Sequence, residues 1–166
     1  MTPTASGTRW SRTEEERTSS SSPPREIARS PDPKADVAKF PYDTRLDVLY
    51  PPLTHIDLDA LVAQVTHPWY NQTLTRVNES VIRVGVMQGE YHWHHHESDD
   101  EFFFVLSGRF LVDLEPAADG VTPGRVIELL PRQGFTVPRG VVHRTRAPEK
   151  SVILMVETAS IVPTGS

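Results

Sequence analysis

Histidines are concentrated in one short stretch of the sequence, where four of the five residues 92–96 are histidine. If this stretch is extended, side chains alternate in direction, so His94 and His96 point to one face and His95 to the other. Two neutral imidazoles on the inner face of a sheet can chelate a divalent ion. Glu101 follows a polar turn and opens the next strand, from which its carboxylate can reach the same ion.

A second element supplies a fourth candidate ligand. Residues 134–138 predict a strand that ends in a turn at Pro138 and Gly140, and His143 lies in the strand that follows. The histidine stretch alone could equally be an exposed strand that binds metal adventitiously. The two elements together predict one divalent metal ion per chain (Fe, Mn, Zn or Ni). The predicted metal ligands are His94, His96, Glu101 and His143.

These two elements resemble the two motifs of the cupin superfamily over about residues 70–160. The first motif has the form His-x-His, three or four residues, Glu, six residues, Gly; here its positions are His94, His96, Glu101 and Gly108. The second motif ends in Pro-x-Gly-x-x-His, which is met by Pro138, Gly140 and His143. Further residues, among them Trp93 and the closing Thr164-Gly165, resemble small single-domain bacterial cupins described as similar to mannose-6-phosphate isomerase.

Two positions depart from the usual cupin pattern. Gly89 lies one residue closer to the first motif histidine than usual, and Ala147 stands where an asparagine often follows the second motif. Neither position is a metal ligand in the family. All four ligand positions of the family are therefore intact in this chain.

The resemblance implies a mononuclear metal-dependent enzyme, of oxygenase or isomerase type, acting on a small molecule in the barrel cavity. Four protein ligands leave two adjacent positions open on an octahedral ion, where a substrate, alone or beside dioxygen, could bind. Two alternatives stay open: a polyketide cyclase-like tailoring protein, and a non-catalytic module that binds a metal or small molecule. Cupins often pair by exchanging an N-terminal strand, so a homodimer is expected.

Three further residues are predicted to line the pocket. His92 shares the face of the ligand histidines, but the corresponding position is usually apolar in the subgroup, which favours a lining residue over a fifth ligand. Phe103 and Val105 share the face of Glu101 and are expected to form a dry wall. The residues of the opposite face, expected to pack outside the cavity, are Tyr91, Trp93 and His95.

Short strands separated by turns dominate the chain from Trp69 onward. Many strands without intervening helices predict an all-β fold, specifically a double-stranded β-helix, or jelly-roll β-barrel. Gly108 is expected to occupy a turn that needs a positive φ. The predicted strands are 71–77, 80–88, 91–96, 101–106, 108–115, 125–130, 134–138, 141–146 and 151–157, with a turn at Pro148 between the last two.

The N-terminal part of the chain differs from the rest. Half of residues 1–36 are Ser, Thr, Pro or Gly, and large apolar residues are scarce, which predicts a disordered tail. Residues 37–166 then form a single cupin domain that begins with an irregular arm. One short helix is predicted over residues 57–65, where apolar side chains follow helical spacing after an Asp57 N-cap.

Composition limits the possible partners. The net charge of −5 and a pI near 5.8 disfavour nucleic acid, which requires a basic surface. The absence of cysteine excludes disulfides and thiolate ligands. No apolar run is long enough for a membrane span, and no secretory signal is evident at the N-terminus. A cytoplasmic protein with a small-molecule ligand is the expectation.

Overall fold

A computed structural model describes residues 37–116, 118–121 and 123–165. This part of the chain is almost entirely β-structure, and eight strands belong to one sheet. The strands are β1 (Asp43–Arg45), β2 (Trp69–Val77), β3 (Ser80–Glu90), β4 (Glu101–Ser107), β5 (Phe110–Leu114), β6 (Arg125–Leu129), β7 (Gly134–Val137) and β8 (His143–Thr158). The predicted disordered tail, residues 1–36, lies outside the described residues.

The strand order shows that the sheet branches at β8. The path β1-β2-β3-β8-β4-β7 is continued by β5, which pairs with both β6 and β8. Thus β8 contacts three strands, with β5 along its first half and β4 along its second half, while β3 pairs along most of its length. This arrangement confirms the predicted jelly-roll fold of the cupin type.

The length of β8 differs from the sequence prediction. Two strands separated by a turn at Pro148 were expected, but residues 143–158 form one continuous strand. Pro148, Glu149 and Lys150 are exposed at a point where β3 shifts its register between Met87 and Gly89. Since proline cannot donate to a ladder, it is accommodated at this irregularity without ending the strand.

Two apolar clusters pack on the two faces of the strands. The inner cluster fills the barrel with buried aromatic, aliphatic and methionine side chains, including Phe103, Phe110 and Ile153. The outer cluster contains Tyr70, Leu74 and Val84, and the N-terminal arm and helix cover it. Alternation along the strands therefore separates a barrel interior from a second, external core.

The predicted helix is present but short. Helix α1 spans Leu58–Val62, and the Asp57 carboxylate accepts a hydrogen bond from the Ala60 N–H at 3.0 Å, as expected of an N-cap. Upstream of it, β1 pairs in parallel with β2 of the same chain. The homodimer expected from the resemblance stays a prediction. No helix among the described residues is long and apolar enough to cross a membrane.

Gly108 provides a test of how closely the turn between β4 and β5 packs against β8. It has a φ of +80°, as predicted, and an added Cβ would lie 2.3 Å from the Ser151 Oγ and 2.7 Å from the Ser151 Cα. We expect Gly108→Ala to lose about 1–2 kcal/mol from the left-handed backbone and about 1–3 kcal/mol more from overpacking. Gly120→Ala is the matched control, because its φ is +68° and nothing lies within 4 Å of an added Cβ. Equal losses for the two variants in chemical denaturation would contradict the packing argument.

Candidate metal centre

The structure brings the four predicted ligand residues together. His94, His96, Glu101 and His143 each offer one nitrogen or oxygen atom, and these atoms all lie within 4.8 Å of one another. All four residues are buried, with exposed fractions between 1% and 7%. They come from the segment after β3, from the first residue of β4 and from the first residue of β8.

Backbone hydrogen bonds hold these segments in place. The N–H of His94 donates to the carbonyl of His143 and the N–H of His143 donates to the carbonyl of His94, each at 2.9 Å. The Gly140 N–H donates to the carbonyl of His96 at 2.7 Å, which ties the predicted turn to the histidine stretch. Glu101 begins β4 and pairs with Val137 of β7. This pairing places the Glu101 side chain beside the three histidines.

Two imidazoles have their tautomer fixed by backbone carbonyls. The Nδ1 of His94 lies 3.1 Å from the carbonyl of His92, and the Nδ1 of His143 lies 2.9 Å from the carbonyl of Val141. A carbonyl can only accept, so Nδ1 carries the proton in both rings. Each Nε2 is then left with a lone pair, the form in which histidine binds a metal.

Electrostatics favour the charge states that a metal ion requires. Burial lowers the pKa of His94 to about 3, which keeps this imidazole neutral near pH 7. Burial opposes the charge of Glu101, but the adjacent imidazoles of His143 and His96 hold its pKa well below the usual range. The Glu101 Oε2 lies 3.3 Å from the His143 Nε2 and 3.4 Å from the His96 Nε2.

The donor set fits a divalent metal ion. The Nε2 of His96 is buried and, despite the nearby carboxylate, has no partner with hydrogen-bond geometry among the described residues. Three imidazole nitrogens and one carboxylate oxygen suit Fe, Mn, Ni or Zn, and a carboxylate partly neutralises the ion. The four groups could therefore hold one metal ion.

A small cavity adjoins two of these four residues, His94 and Glu101. Phe103 lines it, as predicted, whereas Val105 lies in the core of the barrel and His92 is not among the lining residues. Several lining residues were not anticipated from the sequence, because they come from β2, β3, β8 and the C-terminal segment. The cavity is lined by Trp69, Asn71, Met87, Tyr91, His94, Glu101, Phe103, Thr145, Met155 and Pro163.

The side chain of Tyr91 points in a different direction from the one predicted. It was expected to point outward by alternation in a strand over residues 91–96, but β3 ends at Glu90 and the segment beyond has only an isolated bridge at His94. Gly89 has a φ of +112° next to the register shift in β3, which changes the direction of the following side chains. Tyr91 is consequently buried and lines the cavity.

The N-terminal arm and the C-terminal segment meet beside the histidines. The Tyr91 hydroxyl donates to the Pro163 carbonyl at 3.2 Å, and the Nε2 of His92 lies 2.8 Å from the Thr164 carbonyl. The His92 ring also stacks on Phe40, with centroids 4.1 Å apart. His92 thus fastens two chain segments to each other at the edge of the site, a role that alternation along a strand could not indicate.

Comparisons with known proteins agree with this architecture. A family model described as a cupin domain matches residues 80–158. An uncharacterized protein of Bacillus subtilis (strain 168), YdbB, is 36% identical over 101 residues, which cover 61% of this chain and 83% of that protein. The chain belongs to the cupin superfamily.

Solved structures show the same fold at low sequence identity. A cupin-2 domain containing protein from Shewanella frigidimarina is 23% identical, with a TM-score of 0.54, covering 62% of this chain and 93% of the other. Hydroquinone 1,2-dioxygenase from Sphingomonas sp. TTNP3 is 15% identical, with a TM-score of 0.56, covering 66% of this chain and 33% of the other. These similarities establish the fold and leave the reaction undetermined.

Gly165 provides a test of the contact between the C-terminal segment and the ligand histidines. Its φ is +79°, and an added Cβ would lie 2.6 Å from the Cβ of His94. We expect Gly165→Ala to displace His94 or the segment and to shift the His94 imidazole resonances in NMR spectra. Gly140→Ala is the control, because it has a φ of +77° with nothing within 4 Å. Unchanged His94 resonances in Gly165→Ala would show that the close approach does not position this ring.

Proposed function

We propose that this chain is a mononuclear metal-dependent enzyme that acts on a small molecule in the barrel cavity. The convergence of three buried imidazoles and one buried carboxylate carries the proposal. Their proposed role is to hold one divalent ion beside the cavity that His94 and Glu101 help to line. Oxygenase or isomerase chemistry is the proposed reaction type, as the cupin resemblance implies.

The charge of Glu101 supports the metal in particular. An ionised carboxylate buried among neutral imidazoles costs several kcal/mol unless a cation compensates it. The neighbouring groups within the set are imidazoles, and burial keeps at least that of His94 neutral near pH 7. A divalent cation would supply the missing charge and would also bind the unpartnered Nε2 of His96.

The residues of the chain would contribute positioning and exclusion of water. A bound metal would act as a Lewis acid, an orienting template or a redox centre. The carbonyls of His92 and Val141 hold the two imidazole rings in the metal-binding tautomer. Phe103 and the other apolar lining residues would limit access of water, which would strengthen electrostatic interactions with a bound molecule.

Metal content tests the ligand set. We expect about one divalent ion per chain in the purified wild type and a substoichiometric amount in His96→Ala and Glu101→Gln. His95→Ala is the matched control, because His95 is adjacent in sequence but is not one of the four clustered groups. Elemental analysis of all four proteins checks this expectation. Loss of metal from His95→Ala, or full metal in both ligand variants, would overturn the proposed site.

Metal-dependent stability provides a second, independent test. Binding to the folded state alone raises the free energy of unfolding by about 4 kcal/mol when the free metal concentration is a thousand times Kd. We expect chelator-treated wild type to gain stability on addition of the metal found by elemental analysis. Glu101→Gln should gain much less, since the amide has lost the charge that complements the ion. An equal gain in the two proteins would show that the ion binds elsewhere.

Turnover separates this proposal from its alternatives. A metal-loaded protein that binds small molecules without converting them would be a non-catalytic binding module. Cyclisation activity that persists in Glu101→Gln would favour a tailoring protein of the polyketide cyclase type, in which the metal is secondary. The mannose-6-phosphate isomerase-like subgroup, the homodimer and the cytoplasmic location stay predictions.

A further inference from the structure

The four candidate ligand residues are closed off from solvent, since each is at most 7% exposed. The cavity beside two of them, His94 and Glu101, is small, with room for about one water molecule. An organic substrate of the proposed enzyme is larger than this space. Part of the enclosure must therefore move before such a molecule can reach the candidate metal centre.

Most of the cavity wall is held by backbone hydrogen bonds of the sheet. Seven of the ten lining residues lie in β2, β3, β4 and β8. Outside these strands, the Tyr91 N–H donates to the Thr145 carbonyl at 2.8 Å, and His94 exchanges two backbone bonds with His143. The backbone of Pro163, in contrast, forms no hydrogen bond with the backbone of any described strand. Pro163 is therefore the lining residue that can move away without breaking a ladder.

Pro163 lies in a short segment, residues 162–165, here called the strap. Ile161 precedes the strap and, at 2% exposure, anchors the chain in the body of the protein. Beyond this anchor, the backbone hydrogen bond found among the described residues is internal to the strap, from the Gly165 N–H to the Val162 carbonyl at 2.9 Å. The strap can consequently move as a unit about its anchored end.

Two side-chain hydrogen bonds hold the strap over the site. The Tyr91 hydroxyl donates to the Pro163 carbonyl at 3.2 Å, and the His92 Nε2 lies 2.8 Å from the Thr164 carbonyl. A carbonyl only accepts, so the His92 Nε2 carries a proton and donates it. The Nδ1 of the same ring lies 3.3 Å from the hydroxyl of Tyr42, which adjoins β1 in the N-terminal arm. Since β1 pairs with β2, His92 connects the strap to an element that the sheet holds in place.

We propose that the strap closes the candidate metal centre and opens to admit or release what binds there, with His92 as its latch. His92 is a positioning residue, because it acts by holding the strap. The proposal rests on the proposed function for the bound metal, but the latch itself requires none. Losing one net hydrogen bond should raise the population of the open form about fivefold.

Amide hydrogen exchange in the metal-free protein tests the latch. We expect the Gly165 N–H to exchange about fivefold faster in His92→Ala than in the wild type, because the strap opens more often. Amides of β8 should keep their wild-type rates, since opening the strap breaks no ladder. His92→Gln should restore most of the wild-type rate, because the glutamine amide can donate to the Thr164 carbonyl. His95→Ala is the matched control, an adjacent histidine whose ring takes no part in the latch.

Cobalt(II) exchange tests whether the strap controls access, because this ion suits imidazole and carboxylate ligands. We expect both loading with cobalt(II) and its release into excess EDTA to be about fivefold faster in His92→Ala, so that Kd is retained. Weakened ligation would accelerate release alone. His92→Gln and His95→Ala should exchange cobalt(II) at nearly the wild-type rates. The His92 carbonyl that orients His94 is present in every variant.

Three results would overturn the proposal. They are an unchanged Gly165 exchange rate in His92→Ala, faster exchange of the strap without faster loading and release of cobalt(II), and an equal acceleration of the β8 amides, which would mean that the whole fold opens. A chain that binds no cobalt(II) would remove the metal centre. The Gly165 exchange rates would still decide whether His92 latches the strap, so the two failures are distinguishable.

Discussion

The reciprocal backbone hydrogen bonds between His94 and His143 are the constraint on which the site depends. The segment after β3 forms no regular ladder there, so this isolated bridge fixes its distance from β8. It also places two imidazoles with centroids 4.3 Å apart before any metal is considered. Since β8 pairs with β3, β4 and β5, the position of His143 is set by most of the barrel. The candidate ligands are therefore positioned by the rigid part of the fold.

Polar groups in this barrel are placed against the general preference for an apolar interior. Glu101, the Nε2 of His96 and the Oδ1 of Asn71 are all buried, and the last two have no hydrogen-bond partner among the described residues. Each such group lowers stability by about 1–3 kcal/mol. The surrounding core, in which Val105, Phe110 and Ile153 are fully buried, offsets this loss. Polar groups that weaken the fold are expected at a functional site, where a bound partner satisfies them.

The ligand set and the fold class could be predicted from the sequence, because two short motifs and many strand-like segments carry them. The details that failed depend on backbone irregularities. The sequence shows a glycine at position 89, but it does not show the φ of +112° that this residue adopts. That φ and the adjacent register shift, which turn Tyr91 inward, result from the pairing of β3 with β8. Likewise, Pro148 indicated a turn, whereas β8 continues through this position because the residues before and after it, Ala147 and Ser151, both pair with β3. Asn71 and Met155 could not be assigned to the cavity until the order of the strands was known.

The family match and the cavity wall divide the site into two parts. The four candidate ligands all lie within residues 80–158, the region that the cupin domain model matches. Trp69, Asn71 and Pro163 line the same cavity from outside that region. A shared domain can thus supply the same donor set to many proteins, while the flanking segments add part of the wall of the space beside it. The motif residues that identify the superfamily therefore do not by themselves determine which molecule such a cavity would accept.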